Sequence, residues 1–112
     1  MDAFYLQQFF DYLSMEKRLS KHTVLAYSND LSQCLKWLSE AYEIKQVDDI
    51  SHSYIRTWLA SLMNAGLDSK SINRKISALK TYYKYLLKHQ LAVKNPMLKV
   101  SSPKVIIPDK TL

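Results

Sequence analysis

A chain of 112 residues with one glycine, and no proline before position 96, has few places at which a helix must break. All three prolines, Pro96, Pro103 and Pro108, lie near the C-terminal end. Runs that alternate polar and apolar residues in the manner of a strand are absent, so the periodicity predicts an all-α fold. Hydrophobic residues make up 47% of the chain, and 13 of its residues are aromatic. That is enough apolar surface for the core of one domain.

Capping residues and apolar stripes divide the chain into four main helices. The first is expected from Ala3 to Lys17, with Leu6, Phe9, Phe10 and Leu13 inward. Ser20 has the side chain to cap a second helix, and Leu19 and Val24 stand where a hydrophobic staple requires them. Leu31, Leu35, Leu38 and Tyr42 continue its buried stripe, with Tyr27 and Cys34 at the edge. The acidic stretch 43–50 reads as a polar connection in which Asp48 and Asp49 are solvated. Ser51 caps a third helix whose inward residues are Ile55, Trp58, Leu59 and Leu62. Gly66 ends it, because a left-handed C-terminal conformation costs glycine nothing. Asp68 or Ser69 starts the fourth helix, and Ser69 is the expected cap. Asn95-Pro96 marks a turn or a short helix start. Two helical hairpins of these lengths close a small core over residues 1–100, and residues 101–112 read as an extended linker.

The fourth helix has two opposed faces. On a 3.6-residue period Ile72, Ile76, Leu79, Tyr83, Leu86 and Leu87 form one stripe. Lys70, Arg74, Ser77, Thr81, Lys84 and Lys88 form the other. The charge is uneven on a larger scale too: residues 1–65 carry a net −2 and residues 66–112 a net +8. Such a surface suits a polyanion, and double-stranded DNA is the first candidate. Ser20-Lys21-His22-Thr23 and Ser69-Lys70-Ser71 each place hydroxyls and cations at a helix start, where free N–H groups favour a phosphate. Asn73 and Arg74 lie in the first turns of the fourth helix, within reach of base edges. Lys75, Lys80 and Lys84 are suited to phosphates. Thr23, Ser71, Ser77 and each lysine are equally explained as ordinary solvated surface. Tyr27 offers either a phosphate contact or a core side chain.

Other chemistries lack their residues. A glycine-rich phosphate loop is impossible with one glycine. His22, His52 and His89 stand far apart, with no ligand spacing to one another or to Cys34, so no metal and no cofactor is expected. No nucleophile has a base at a useful spacing, so the chain is not expected to be an enzyme by itself. Neither a signal peptide nor a membrane-spanning run is present, and a lone cysteine fits a reducing, cytoplasmic setting.

Several segments together resemble the start of a tyrosine recombinase of the phage-integrase family. They are Phe9-Phe10-Asp11-Tyr12-Leu13, Leu19-Ser20-Lys21-His22-Thr23-Val24 and Tyr27-Ser28-Asn29-Asp30-Leu31, followed by the run from Gly66 to Lys80. Asn95-Pro96, Ser102-Pro103-Lys104 and the stretch around Pro108 complete the likeness, which is nearest to the Xer type. The resemblance implies a SAM-like core-binding domain, an orthogonal bundle of four main helices whose second and fourth helices face DNA. It implies Lys21, His22, Thr23 and Tyr27 on one helix and Ser69, Lys70, Ser71, Asn73, Arg74, Lys75, Ser77, Lys80 and Lys84 on the other. It further implies a separate catalytic domain, other recombinase protomers in a synaptic tetramer as partners, and chromosome dimer resolution as the Xer role. An integrase of a mobile element, or a basic helical module that binds proteins, shares the same features. The isolated chain is expected to be a monomer.

Overall fold

The computed structural model of the protein describes residues 4–100. The linker expected at 101–112 lies outside the described residues. Four α-helices make up the fold, and no strand occurs among the described residues. They are α1 (Leu6–Met15), α2 (Lys21–Tyr42), α3 (His52–Asn64) and α4 (Ser69–Lys88).

The caps explain the boundaries. The Ser20 hydroxyl accepts the Thr23 N–H at 3.2 Å, and Ser51 accepts the Tyr54 N–H at 3.4 Å. Gly66 takes φ 97°, and Leu67 N–H closes the end of α3 on the Leu62 carbonyl at 3.0 Å. At the start of α4 the expectation of Ser69 is corrected. Asp68 is the cap, its carboxylate accepting the Ser71 N–H at 2.9 Å. A charged acceptor at the positive end of the helix holds that N–H more strongly than a hydroxyl does. The first helix is also shorter than expected, ending at Met15. Arg18 adopts the left-handed conformation (φ 54°), and Leu19 N–H bonds back to the Leu13 carbonyl. No glycine marks that turn, so no local residue announces it.

The polar connection after α2 is half core. Ile44, Val47 and Ile50 are buried, with a 3₁₀ turn at Val47–Asp49. The two aspartates, Asp49 exposed and Asp48 half-buried, also hold the backbone. Asp49 accepts the N–H groups of Lys45 and Gln46, each at 3.2 Å. Asp48 accepts those of Val93 and Lys94 at 3.0 and 3.2 Å. Asp48 thereby ties the strap that follows α4 to the connection that precedes α3. The strap continues through Asn95, which caps the 3₁₀ turn Pro96–Lys99, and buries Ala92, Met97 and Val100 against the bundle.

Packing follows the expected hairpins: α1 lies on α2, α3 on α4, and α2 joins the two pairs. Phe9, Leu13, Leu31, Leu38, Ile55, Trp58, Ile72, Leu79, Tyr82, Tyr83 and Leu86 form the fully buried centre. Cys34 is among them rather than at the edge, and burial pushes its thiol up to about 12. Aromatic rings carry the contact of α1 with α4: Phe9 meets Tyr82 edge-on at 5.4 Å, and Tyr12 lies 4.7 Å from Tyr85. The buried hydroxyls are satisfied. Tyr82 donates to the Phe4 carbonyl at 2.7 Å and Tyr83 to the Val47 carbonyl at 2.8 Å.

Candidate nucleic-acid interface

The packing of α4 leaves one side of it to solvent. Ile72, Ile76, Leu79, Tyr83 and Leu86 are buried, while Ser69, Lys70, Arg74, Ser77, Lys80, Lys84 and Lys88 are exposed. Ser71, Asn73 and Thr81 are half-buried at the margins. The exposed side therefore carries five cations, and Asp68, at its N-terminal edge, is the only carboxylate belonging to the helix or its cap.

The first turn of α2 supplies a second group. Lys21 and His22 are exposed, Thr23 and Tyr27 half-buried. Ser20, besides capping the Thr23 N–H, donates its hydroxyl proton to Thr23 Oγ1 at 3.0 Å. The cap here is neutral, so the positive end of α2 remains attractive to an anion. The two helix starts thus differ. At α4 the Asp68 carboxylate already occupies the positive end, and its pKa is lowered chiefly by the hydrogen bond from the Ser71 backbone. A fixed negative charge there disfavours a phosphate, whereas the neutral cap of α2 leaves its positive end uncompensated.

Two expected contact residues stand differently from the rest. Lys75 is buried, 6% exposed, and its ammonium donates to Asp30 Oδ1 at 2.7 Å and Gln33 Oε1 at 3.0 Å. It also lies 5.9 Å above the Trp58 ring. It is a core cation, not part of the open face. The helical wheel contains the warning: at 3.6 residues per turn Lys75 stands about 140° from Lys70, on the apolar side. Arg74 reaches the same carboxylate from outside. Its Nε donates to Oδ2 at 2.8 Å and its Nη2 to Oδ1 at 2.9 Å, with the side chain still 45% exposed.

Asp30, which the sequence alone did not single out, is thus the joint between α2 and α4. It is 2% exposed. Burial raises its pKa, but the hydrogen bonds and charges of Arg74 and Lys75 outweigh that and hold it below the usual carboxylate value. Arg74 is raised in turn, first by its hydrogen bond to Asp30, with Tyr27 among the lesser contributors. The Asp30–Arg74 pair thereby ties α2 to the exposed side of α4.

Among the described residues no three His, Cys, Asp or Glu side chains are placed to hold a metal ion. Among them, too, no helix is long and apolar enough to cross a membrane.

Residues 6–90 match the family described as phage integrase, N-terminal SAM-like domain. The chain belongs to that family. It is similar to the tyrosine recombinase XerC of Anoxybacillus flavithermus, at 36% identity over 90% of this chain and 33% of the relative. It is likewise similar to the tyrosine recombinases XerD of Rickettsia conorii (35%, 89% of this chain and 32% of the relative) and Chlorobaculum tepidum (36%, 89% and 32%). The chain spans about a third of the length of these curated relatives. It is a core-binding domain of the Xer-like tyrosine recombinases. No solved structure matches the chain.

Proposed function

We propose that this core-binding domain docks α2 and α4 on double-stranded DNA at a recombination half-site. There it positions a catalytic domain for strand exchange, in the Xer manner of chromosome dimer resolution. The observation that carries the reading is the open side of α4. Lys70, Lys80, Lys84 and Lys88 line it with Arg74, and the neutral-capped start of α2, the helix that Asp30 joins to α4, adds Lys21, His22 and Thr23. Lysines on flexible stems suit phosphates, which position a protein without reading sequence. Lys75 takes no part, because its ammonium is spent inside the domain.

Binding of the chain to a labelled duplex across a salt series tests this. Each phosphate contact contributes about 0.9 to the slope of log affinity on log salt. Lys70→Ala, Lys80→Ala and Lys84→Ala combined should flatten that slope by roughly 2 to 3 units. A folded triple variant with an unchanged slope would remove α4 from the interface.

A second reading has its own support. A groove of about 490 Å³ runs between α4 and the Pro96–Lys99 turn, lined by Leu87, Met97, Leu98 and Val100 with Lys80 and Lys84 at its rim. Leu98 is 81% exposed. An apolar surface of this kind suits a protein contact, such as a neighbouring recombinase protomer, at the C-terminal end of the same domain.

A further inference from the structure

The DNA face and the core are joined by one line of polar side chains. Trp58 underlies the Lys75 ammonium, Lys75 and Gln33 hold each other, Lys75 grips Asp30, and Asp30 grips Arg74. Everything in that line except the far side of Arg74 is enclosed or braced. Asp30 Oδ1 accepts from both cations, and Oδ2 accepts from Arg74 Nε. A guanidinium has five N–H donors, and the carboxylate takes two of them. The remaining three project from Nη1 and Nη2, on a side chain that is nearly half exposed.

This differs in kind from the other cations of the face. An exposed lysine loses rotamer freedom whenever it makes a contact, and its charge serves any phosphate equally well. Arg74 has lost that freedom already, in the folded domain. Its charge is largely cancelled by Asp30, so its value as a phosphate counter-charge is reduced. Its direction, in contrast, is fixed. A fixed planar fork is what a pair of acceptors on a base edge requires, guanine O6 and N7 being the best matched. Lys75 braces the Asp30 carboxylate from within, at 2.7 Å.

We propose that Asp30 is a positioning residue for sequence reading: it turns Arg74 from a mobile cation into a pre-set fork aimed at a base edge. The inference rests on α2 and α4 facing DNA, and it assigns specificity to one residue pair within a face that otherwise only holds the backbone.

The test uses the whole 112-residue chain and a pool of duplexes randomised over a central window. Wild type is selected against the pool, and the enriched duplex is compared with a scrambled one. Asp30→Asn alone strands the buried Lys75 ammonium and endangers the fold. The working variant is therefore Asp30→Asn with Lys75→Met, which removes charge and counter-charge together; its helicity and melting are checked first. The expected result is unimpaired binding to the scrambled duplex with an undiminished salt slope. Preference for the enriched duplex should fall by roughly 5- to 150-fold, the range of one bidentate base contact. Arg74→Ala should lose the same factor, and adding the pair variant to Arg74→Ala should lose nothing more. A merely structural Asp30 would instead give additive losses. Preference retained in the pair variant overturns the proposal. So does a wild-type chain that binds duplex but enriches no sequence, while the DNA face itself survives. A wild-type chain that binds no duplex at any salt sinks the DNA face, and the inference with it.

Discussion

Lys75→Met separates a structural role for this lysine from a phosphate-binding one. Methionine keeps most of the unbranched stem and removes only the ammonium, which lies over the Trp58 ring. The structure sets the cost. The ammonium makes two hydrogen bonds, at 2.7 Å to a carboxylate and 3.0 Å to an amide oxygen. Hydrogen bonds to charged groups contribute about 1.5–3 kcal/mol each, and neutral ones about half of that. Several effects reduce the loss. Asp30 keeps both bonds from Arg74, so the carboxylate is not stranded, and the buried ammonium no longer has to be desolvated. A net destabilisation of about 1–3 kcal/mol follows. Urea unfolding followed by far-ultraviolet circular dichroism measures it as a shift in midpoint at constant slope. The same variant should leave the salt dependence of DNA binding unchanged, because no phosphate contact is lost. A variant as stable as wild type, with a salt slope flattened by about one unit, would refute the reasoning. It would return Lys75 to the surface, where the charge pattern alone had put it.

Four further outcomes are expected. Because the folded pKa of Asp30 lies below its unfolded value near 3.9, its stabilising contribution is fully present above that value. It is lost as pH falls through the folded pKa, so urea midpoints should drop in strong acid, and less so in Asp30→Asn/Lys75→Met. Gln90 sits at φ 59° where Leu91 N–H closes α4 on the Leu86 carbonyl at 2.8 Å. Gln90→Gly should relieve left-handed strain and raise stability by about 1 kcal/mol in a thermal melt, whereas an unchanged or lower melting temperature would contradict the strain. Tyr83→Phe removes the 2.8 Å donor of the Val47 carbonyl, which keeps the Ile50 N–H at 3.3 Å, and should cost about 0.5–1.5 kcal/mol, read from the urea midpoint. The Cys34 thiol, buried and pushed up to about 12, should react with an aromatic disulfide reagent only as fast as the domain opens; rapid labelling of the native protein would show the site to be accessible.

Much of this protein was legible from its residues alone, because helix formation here depends on local signals. Ser20, Ser51 and Gly66 act within a few residues of themselves, and a cap works the same way wherever its helix lies. The apolar stripe of α4 likewise follows from spacing alone, since a helix repeats every 3.6 residues whatever it packs against. Where the signal was absent, or shared by two neighbours, local reading fell short. Arg18 follows α1 in a conformation usually left to glycine, and Asp68 took the cap from Ser69.

The sequence by itself therefore determined four amphipathic helices, an all-α core and a cationic outer stripe on α4. It could not determine the state of each charge on that stripe. Arg74 and Lys75 are adjacent in the chain and alike in charge, yet one is half exposed and the other buried. What separates them is Asp30, 44 and 45 residues away, on a helix that meets α4 only after the bundle closes. The energy of an ion pair depends on the distance between its groups and on how much water remains around them. Both are properties of tertiary packing. The same holds for Asp48, which finds its N–H partners 45 and 46 residues further along. Spacing along a helix reveals which side a residue faces. Only the assembled domain decides whether a charge on that side meets solvent, a partner, or the edge of a base.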